Sequence, residues 1–306
     1  MSSRGNTPIR TFLSAGLMIA FLCFCYSCQP YQKFVPLPVI PGATYIGGEE
    51  CTDCHEKVAD AFPRTLHGKV EFEKWGIAGK GCEGCHGPGS AHSNEAETSK
   101  TPKQIIRFKE EHPKGRMGIC LQCHRRDRER EDFRRSQHAV SQVPCDECHQ
   151  IHKGGVREAS LKRPAPELCY SCHVRIQAEF ALPERHKVPE GVVNCPDCHT
   201  SHSAANRRQL RQARDEVCFN CHSELRGPWV FEHLSVYVEG CSTCHQPHGS
   251  NNRHLLAYQE VASLCLQCHP NTPAFHNQRA VAGNFRNCTF CHVNIHGSNV
   301  NHAFFE

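Results

Sequence analysis

Apolar residues along this chain of 306 gather once and then scatter. Phe12 to Tyr26 make one greasy stretch, preceded by Arg4 and Arg10. Beyond it, the apolar runs are too short and broken for long strands or long amphipathic helices. Glycine and proline, 22 and 19 of them, punctuate the remainder. The pattern predicts short helices joined by irregular loops, with almost no β structure.

Composition sharpens the difficulty of building a core. Hydrophobic residues are 39% by count, but that figure includes 23 cysteines, and without them the apolar fraction falls below that of an ordinary globular domain. Something other than aliphatic side chains must supply buried apolar surface.

The cysteines say what. Twenty of them fall in ten copies of Cys-x-x-Cys-His: Cys51 and Cys54, Cys82 and Cys85, Cys120 and Cys123, Cys145 and Cys148, Cys169 and Cys172, Cys195 and Cys198, Cys218 and Cys221, Cys241 and Cys244, Cys265 and Cys268, Cys288 and Cys291. Each copy ends on its histidine: His55, His86, His124, His149, His173, His199, His222, His245, His269 and His292. This is the attachment signature of c-type haem, in which two thiols add to the porphyrin and the adjacent imidazole is the proximal iron ligand. A zinc ribbon or a disulfide framework would leave ten invariantly placed histidines unexplained. Ten motifs imply ten c-type haems, whose faces supply the missing apolar surface.

Of the 23 histidines, ten more follow the attachment sites in a regular pattern: His67, His92, His138, His152, His186, His202, His233, His248, His276 and His296. They are candidate distal ligands. Beyond the leader the chain has a single methionine, Met117, so methionine ligation cannot be general. Ten bis-histidine, low-spin haems of low potential are expected, closed to substrate and suited to carrying electrons rather than to catalysis. His112, His254 and His302 read as ordinary surface histidines. At His149 and His152, His199 and His202, and His245 and His248, the spacing of three places both imidazoles on one face of a helical turn. One turn cannot reach around a macrocycle, so each second histidine is expected to ligate a neighbouring haem.

The sites group into five tandem pairs. The pairs starting at Cys120, Cys169, Cys218 and Cys265 recur at intervals of about 48 residues, the period of a repeat array, and predict an elongated molecule. The first interval is longer, because a polar stretch including Lys100 to Lys114 intervenes and reads as a solvated loop or short helix. The formal charge of +4 ignores the cofactors, whose propionates make the loaded chain acidic. The arginine runs at 125–135 and 207–214 therefore read as propionate partners and solvated faces, and nucleic acid is not an expected partner.

The first stretch has the charged-then-apolar order of a secretory signal. Residues 1–28 are read as a signal peptide, 29–48 as a proline-rich tether and 49–306 as the decahaem domain. Cys28 follows a small residue and fits a lipoprotein cysteine imperfectly, which leaves lipidation, plain cleavage and an uncleaved anchor open.

Gly81-Cys-Glu-Gly-Cys-His-Gly-Pro-Gly-Ser-Ala-His92, Arg226-Gly-Pro-Trp-Val-Phe-Glu-His233, Cys244-His-Gln-Pro-His-Gly-Ser250 and Asn294-Ile-His-Gly-Ser-Asn299 resemble the MtrA/DmsE decahaem cytochromes, over about Gly48 to Asn299. The resemblance implies a multihaem cytochrome c and a role as an electron wire. The wire would sit within an outer-membrane β-barrel partner, take electrons from periplasmic or inner-membrane donors and pass them to an outer-surface cytochrome or reductase. It also implies two pentahaem halves, in competition with five pairs. A lipid-anchored or soluble periplasmic carrier is the alternative; a multihaem reductase would need an open iron that no site supplies.

Overall fold

The computed structural model describes residues 40–306 apart from 76–78, 126, 128, 129, 131, 154–157, 272–275 and 277–286. The expected signal peptide, Cys28 and the expected tether up to residue 39 lie outside the described residues.

Local structure is short wherever it is regular. The longest described helix is Pro113–His124, whose first turn is set by Pro113 and capped by His112, which accepts a hydrogen bond from the Lys114 N–H. Other α-helices run four to seven residues, among them Ala165–Tyr170, Val174–Glu179 and Cys195–Cys198. Helices of this length are not stable alone in water, so tertiary contacts must hold them. Two-residue strands β1 (Phe231–Glu232) and β2 (Gly297–Ser298) pair antiparallel, Phe231 opposite Ser298. The architecture is that of a multihaem cytochrome c: short helices and loops with very little strand. Among the described residues no helix is long and apolar enough to cross a membrane.

The chain makes little core of its own. Glycine and proline aside, ten hydrophobic side chains are buried among the described residues, and one cluster joins Met117, Leu121, Phe133 and Ala139, with Cys145 packed against it. Much of the packing is instead backbone against backbone or ring. A Cβ on Gly297 would meet the Trp229 ring at 2.2 Å, and one on Gly249 would meet the Glu179 carbonyl oxygen at 1.9 Å, so both positions require glycine.

A small hairpin recurs three times. After Cys148, Cys198 and Cys244 the chain extends at the histidine, makes an isolated antiparallel bridge (His149 with Leu161, His199 with Leu210, His245 with Leu256) and turns through residues of positive φ. The turning residues are Ala159 and Ser160, Arg208 and Gln209, and His254 and Leu255. The same ladder bonds repeat: Gln150, Thr200 and Gln246 N–H donate to the carbonyls of Ser160, Gln209 and Leu255.

This corrects one expectation. His149 and His152 do not share a helical turn, because the helix Cys145–Cys148 ends at the second cysteine and His149 is extended at φ −101°, ψ 148°. His199 is extended likewise, at φ −112°, ψ 152°. The bridge competes successfully with helix continuation, since it satisfies the backbone on both sides of the histidine. The stretch from Lys100 to Lys114 is also more than a solvated loop: Ile106 is buried and docks onto the second attachment site.

Candidate cofactor sites

Each Cys-x-x-Cys-His closes one helical turn. The histidine N–H bonds the carbonyl of the first cysteine at 2.9–3.0 Å at sites such as Cys51, Cys145, Cys195 and Cys288, and the Cys120 copy lies inside the helix Pro113–His124. In a helical turn positions i, i+3 and i+4 share one side, which is what two thioethers and an axial ligand require.

The second imidazoles arrive from elsewhere. Numbering the sites 1 to 10 along the chain, the histidine of every motif, the candidate proximal ligand, faces one of the ten candidate distal histidines. Ring centroids are 6.3 Å apart for His55 and His92, 5.8 Å for His86 and His152, 5.9 Å for His124 and His67, and 5.8 Å for His149 and His202. They are 6.1 Å apart for His173 and His138, 6.1 Å for His199 and His248, and 6.2 Å for His222 and His186. The last three pairs, His245 and His296, His269 and His233, and His292 and His276, lie at 6.2, 6.2 and 6.5 Å. Two imidazoles on opposite sides of one metal, each about 2 Å away through nitrogen, would have centroids about 6 Å apart. The spacing fits an iron between each pair.

The pairing follows a rule that sequence spacing does not state. Sites 2, 4, 6 and 8 meet the histidine that follows the attachment site two places later; sites 3, 5, 7 and 9 meet the histidine that follows the site two places earlier. At the ends, where no such site exists, site 1 meets His92 and site 10 meets His276.

Cysteines order the sites. Cys51 contacts Cys82, Cys120 contacts Cys145, Cys169 contacts Cys195, Cys218 contacts Cys241 and Cys265 contacts Cys288. Second cysteines make the intervening joints: Cys85 neighbours Cys123, Cys148 neighbours Cys172, Cys198 neighbours Cys221 and Cys244 neighbours Cys268. Consecutive sites are thus adjacent from 1 to 10. Burial is the main cause that pushes the Cys85 thiol up to about 11 and the Cys265 thiol up to about 12. Asp215, Cys218 and Cys241 are the one candidate group of three metal-binding side chains among the described residues, and its two cysteines are one of these joints.

Hydrogen bonds at Nδ1 orient the rings. His86, His149, His199, His245 and His292 aim Nδ1 at the carbonyls of Ile106, Ala159, Arg208, His254 and Ala303, at 2.7, 2.7, 3.1, 2.8 and 2.5 Å. With Nδ1–H donating, Nε2 is left as the free lone pair, the tautomer a metal needs. Burial, partly offset by the carbonyl bond, holds His86, His149 and His199 below the usual histidine range and so keeps them neutral. Among distal candidates, His186 Nδ1 bonds the Pro247 carbonyl at 2.6 Å and His248 Nδ1 bonds Glu179 at 3.0 Å.

Buried donors point the same way. Tyr170 Oη, Arg185 Nε and Trp229 Nε1 are buried without a partner among the described residues. Tyr170 and Arg185 line a cavity of about 330 Å³ together with Gln177, Phe180, Ala181 and Pro189. Apolar walls with unmatched donors suit a porphyrin, whose carboxylates are acceptors.

Three segments, 138–178, 186–227 and 233–274, match the family model described as the doubled CXXCH motif. The chain is 33% identical over 274 residues to the multiheme cytochrome MtrA of Shewanella baltica, covering 83% of this chain and 79% of that one. The chain belongs to the MtrA family of multihaem cytochromes. It is accordingly a c-type, multihaem electron-transfer protein.

The matched windows of that family cut the repeat in a phase other than the pairs read from spacing. Each opens on a candidate distal histidine and closes after the proximal histidine it faces: His138 with His173, His186 with His222, His233 with His269. The even sites join one window to the next. Sequence reading found the ligand candidates but missed the carbonyl acceptors; the leucines recurring eleven or twelve residues after His149, His199 and His245 were the available signal. The remaining histidines have structural places: His112 caps a helix, the His254 carbonyl holds His245, and His302 packs on Phe231.

Proposed function

We propose that this chain is a ten-haem wire that carries electrons from the periplasm across the outer membrane inside a β-barrel partner. The observation that carries this reading is the set of ten imidazole pairs at one iron-sized spacing, joined in sequence order through adjacent cysteines. When bound, each haem would supply a one-electron ferric/ferrous couple at a site whose cysteines adjoin those of the next. The residues divide the remaining work. Cysteine pairs anchor each group; His55, His86, His124, His149, His173, His199, His222, His245, His269 and His292 are the proximal ligands. The distal ligands are His92, His152, His67, His202, His138, His248, His186, His296, His233 and His276, in the same order of sites. With both axial positions filled, no site opens to substrate, and the chain acts as carrier rather than enzyme.

The leader supports export, and the family resemblance supports the barrel, a periplasmic or inner-membrane donor and an outer-surface acceptor. A second reading, a lipid-anchored periplasmic carrier feeding a separate reductase, is favoured by the cysteine at position 28. Detergent extraction of outer membranes and purification of the tagged holoprotein separates the two. A β-barrel protein co-eluting at fixed stoichiometry is expected; recovery of the cytochrome alone, fully loaded, would replace the conduit with the carrier.

A further inference from the structure

The acceptors at Nδ1 are not all alike. Sites 2, 4, 6, 8 and 10 present their proximal imidazoles to neutral backbone carbonyls. Among the described residues, His124 and His248 meet carboxylates instead. His124 of site 3 bonds Asp127 Oδ2 at 2.8 Å, and His248, which faces His199 of site 6, bonds Glu179 Oε2 at 3.0 Å. Glu224 approaches His222 only to 3.8 Å, beyond hydrogen-bond reach.

An anionic acceptor draws the Nδ1 proton toward itself and makes the imidazole a stronger donor to a metal at Nε2. A stronger donor stabilises ferric over ferrous iron and lowers the potential. Resting on the ligation read above, we propose that Glu179 and Asp127 are positioning residues that lower the potentials of sites 6 and 3 and make them low-potential steps of the wire. One electron enters and leaves the iron, and the shared proton stays between imidazole and carboxylate, so no bond is made or broken.

The two are not equal. Asp127 Oδ2 also accepts from Arg130 Nη1 at 2.5 Å, so a cation shares the very oxygen that His124 uses. Glu179 offers Oε2 to His248, while Arg175, largely exposed, sits 3.3 Å from the other oxygen. Site 6 is therefore the lower. The contact there is built rather than incidental. Gly249 lets the chain approach the Glu179 carbonyl, and Ser250 and Glu184 exchange backbone hydrogen bonds of 2.8 and 3.1 Å, which seats His248 beside Glu179. His186 Nδ1 bonds the Pro247 carbonyl in the same seam, giving the adjoining site 7 a neutral acceptor.

The test uses the purified holoprotein with Glu179→Gln and Asp127→Asn, each of which keeps an acceptor oxygen and removes the charge. Intact mass and low-spin spectra should match the parent. In a potentiometric titration, Glu179→Gln should favour the ferrous form of one low-lying couple by about tenfold, ~59 mV for one electron. Asp127→Asn should move a different couple in the same direction by less. Unmoved couples with all haems retained would overturn the tuning role and leave the ligation reading standing. Loss of haem in both variants would also overturn it, showing the acids to be structural. A parent protein without bis-histidine low-spin signals would instead refute the ligation reading itself.

Discussion

Sites 5 and 6 are neighbours through Cys169 and Cys195 and carry the same five-residue motif, yet their backbones differ. At site 5 a helix, Ala165–Tyr170, runs into the first cysteine, and His173 directly precedes another, Val174–Glu179. At site 6 the helix begins at Cys195, closes at Cys198, and His199 is extended in a bridged hairpin with Nδ1 on the Arg208 carbonyl. The contrast largely repeats along the chain. Odd sites hang from helices that enter them, and even sites open a short helix whose histidine is pinned by a carbonyl arc. Attachment chemistry dictates the turn alone; the flanking chain decides how firmly the imidazole is held.

The largest expected effect that would sharpen this contrast is a ligand exchange in each class. His186→Met, opposite His222 of an odd site, and His202→Met, opposite His149 of an even site, should each raise one potential by on the order of 0.1 V through methionine ligation. At the even site the Ala159 carbonyl should keep His149 in place and give clean mixed ligation. At the odd site, where no such carbonyl holds His222, a high-spin fraction should accompany it. Redox titration with electron paramagnetic resonance reads both; identical spectra would erase the distinction, and an unmoved titration would remove that histidine from the ligand set.

A smaller effect probes the seam between repeats. Gly249→Ala forces a Cβ into the Glu179 carbonyl oxygen, 1.9 Å away, so backbone must shift at a cost of about 1–3 kcal/mol. The melting temperature of the holoprotein should fall, with the spectral change confined to the His199–His248 site. A neutral outcome would mean that the seam does not position His248.

Smallest is the carbonyl arc itself. Arg208 is held at φ 57°, a conformation that costs an L-residue about 1–2 kcal/mol and glycine almost nothing, though glycine loses more entropy on folding. Arg208→Gly should therefore stabilise by about 0.5 kcal/mol in thermal unfolding. Destabilisation would show that the arginine side chain contributes more than its backbone strain removes.

Legibility in the sequence tracked the range of the interaction. Motif, proximal histidine and short-helix character are written within five residues, because an i to i+4 turn and thioether chemistry are local. The spacing of three between His149 and His152 suggested a shared helical turn, and failed because a strand-like bridge to Leu161 was worth more to the backbone than one further helical bond. Ile106 was unremarkable in a polar stretch, since nothing near it in sequence announces that its carbonyl will meet His86.

By itself, then, the sequence determined where the ten Cys-x-x-Cys-His motifs lie, which histidines are available to face them, and that the chain cannot bury a conventional core. Only the tertiary structure decided which histidine faces which site, the order in which sites touch and which imidazoles lean on a carboxylate. The physical reason is distance along the chain. His186 faces His222 and His199 faces His248, partners brought together only when successive repeats dock, and docking is a property of surfaces that no five-residue motif contains.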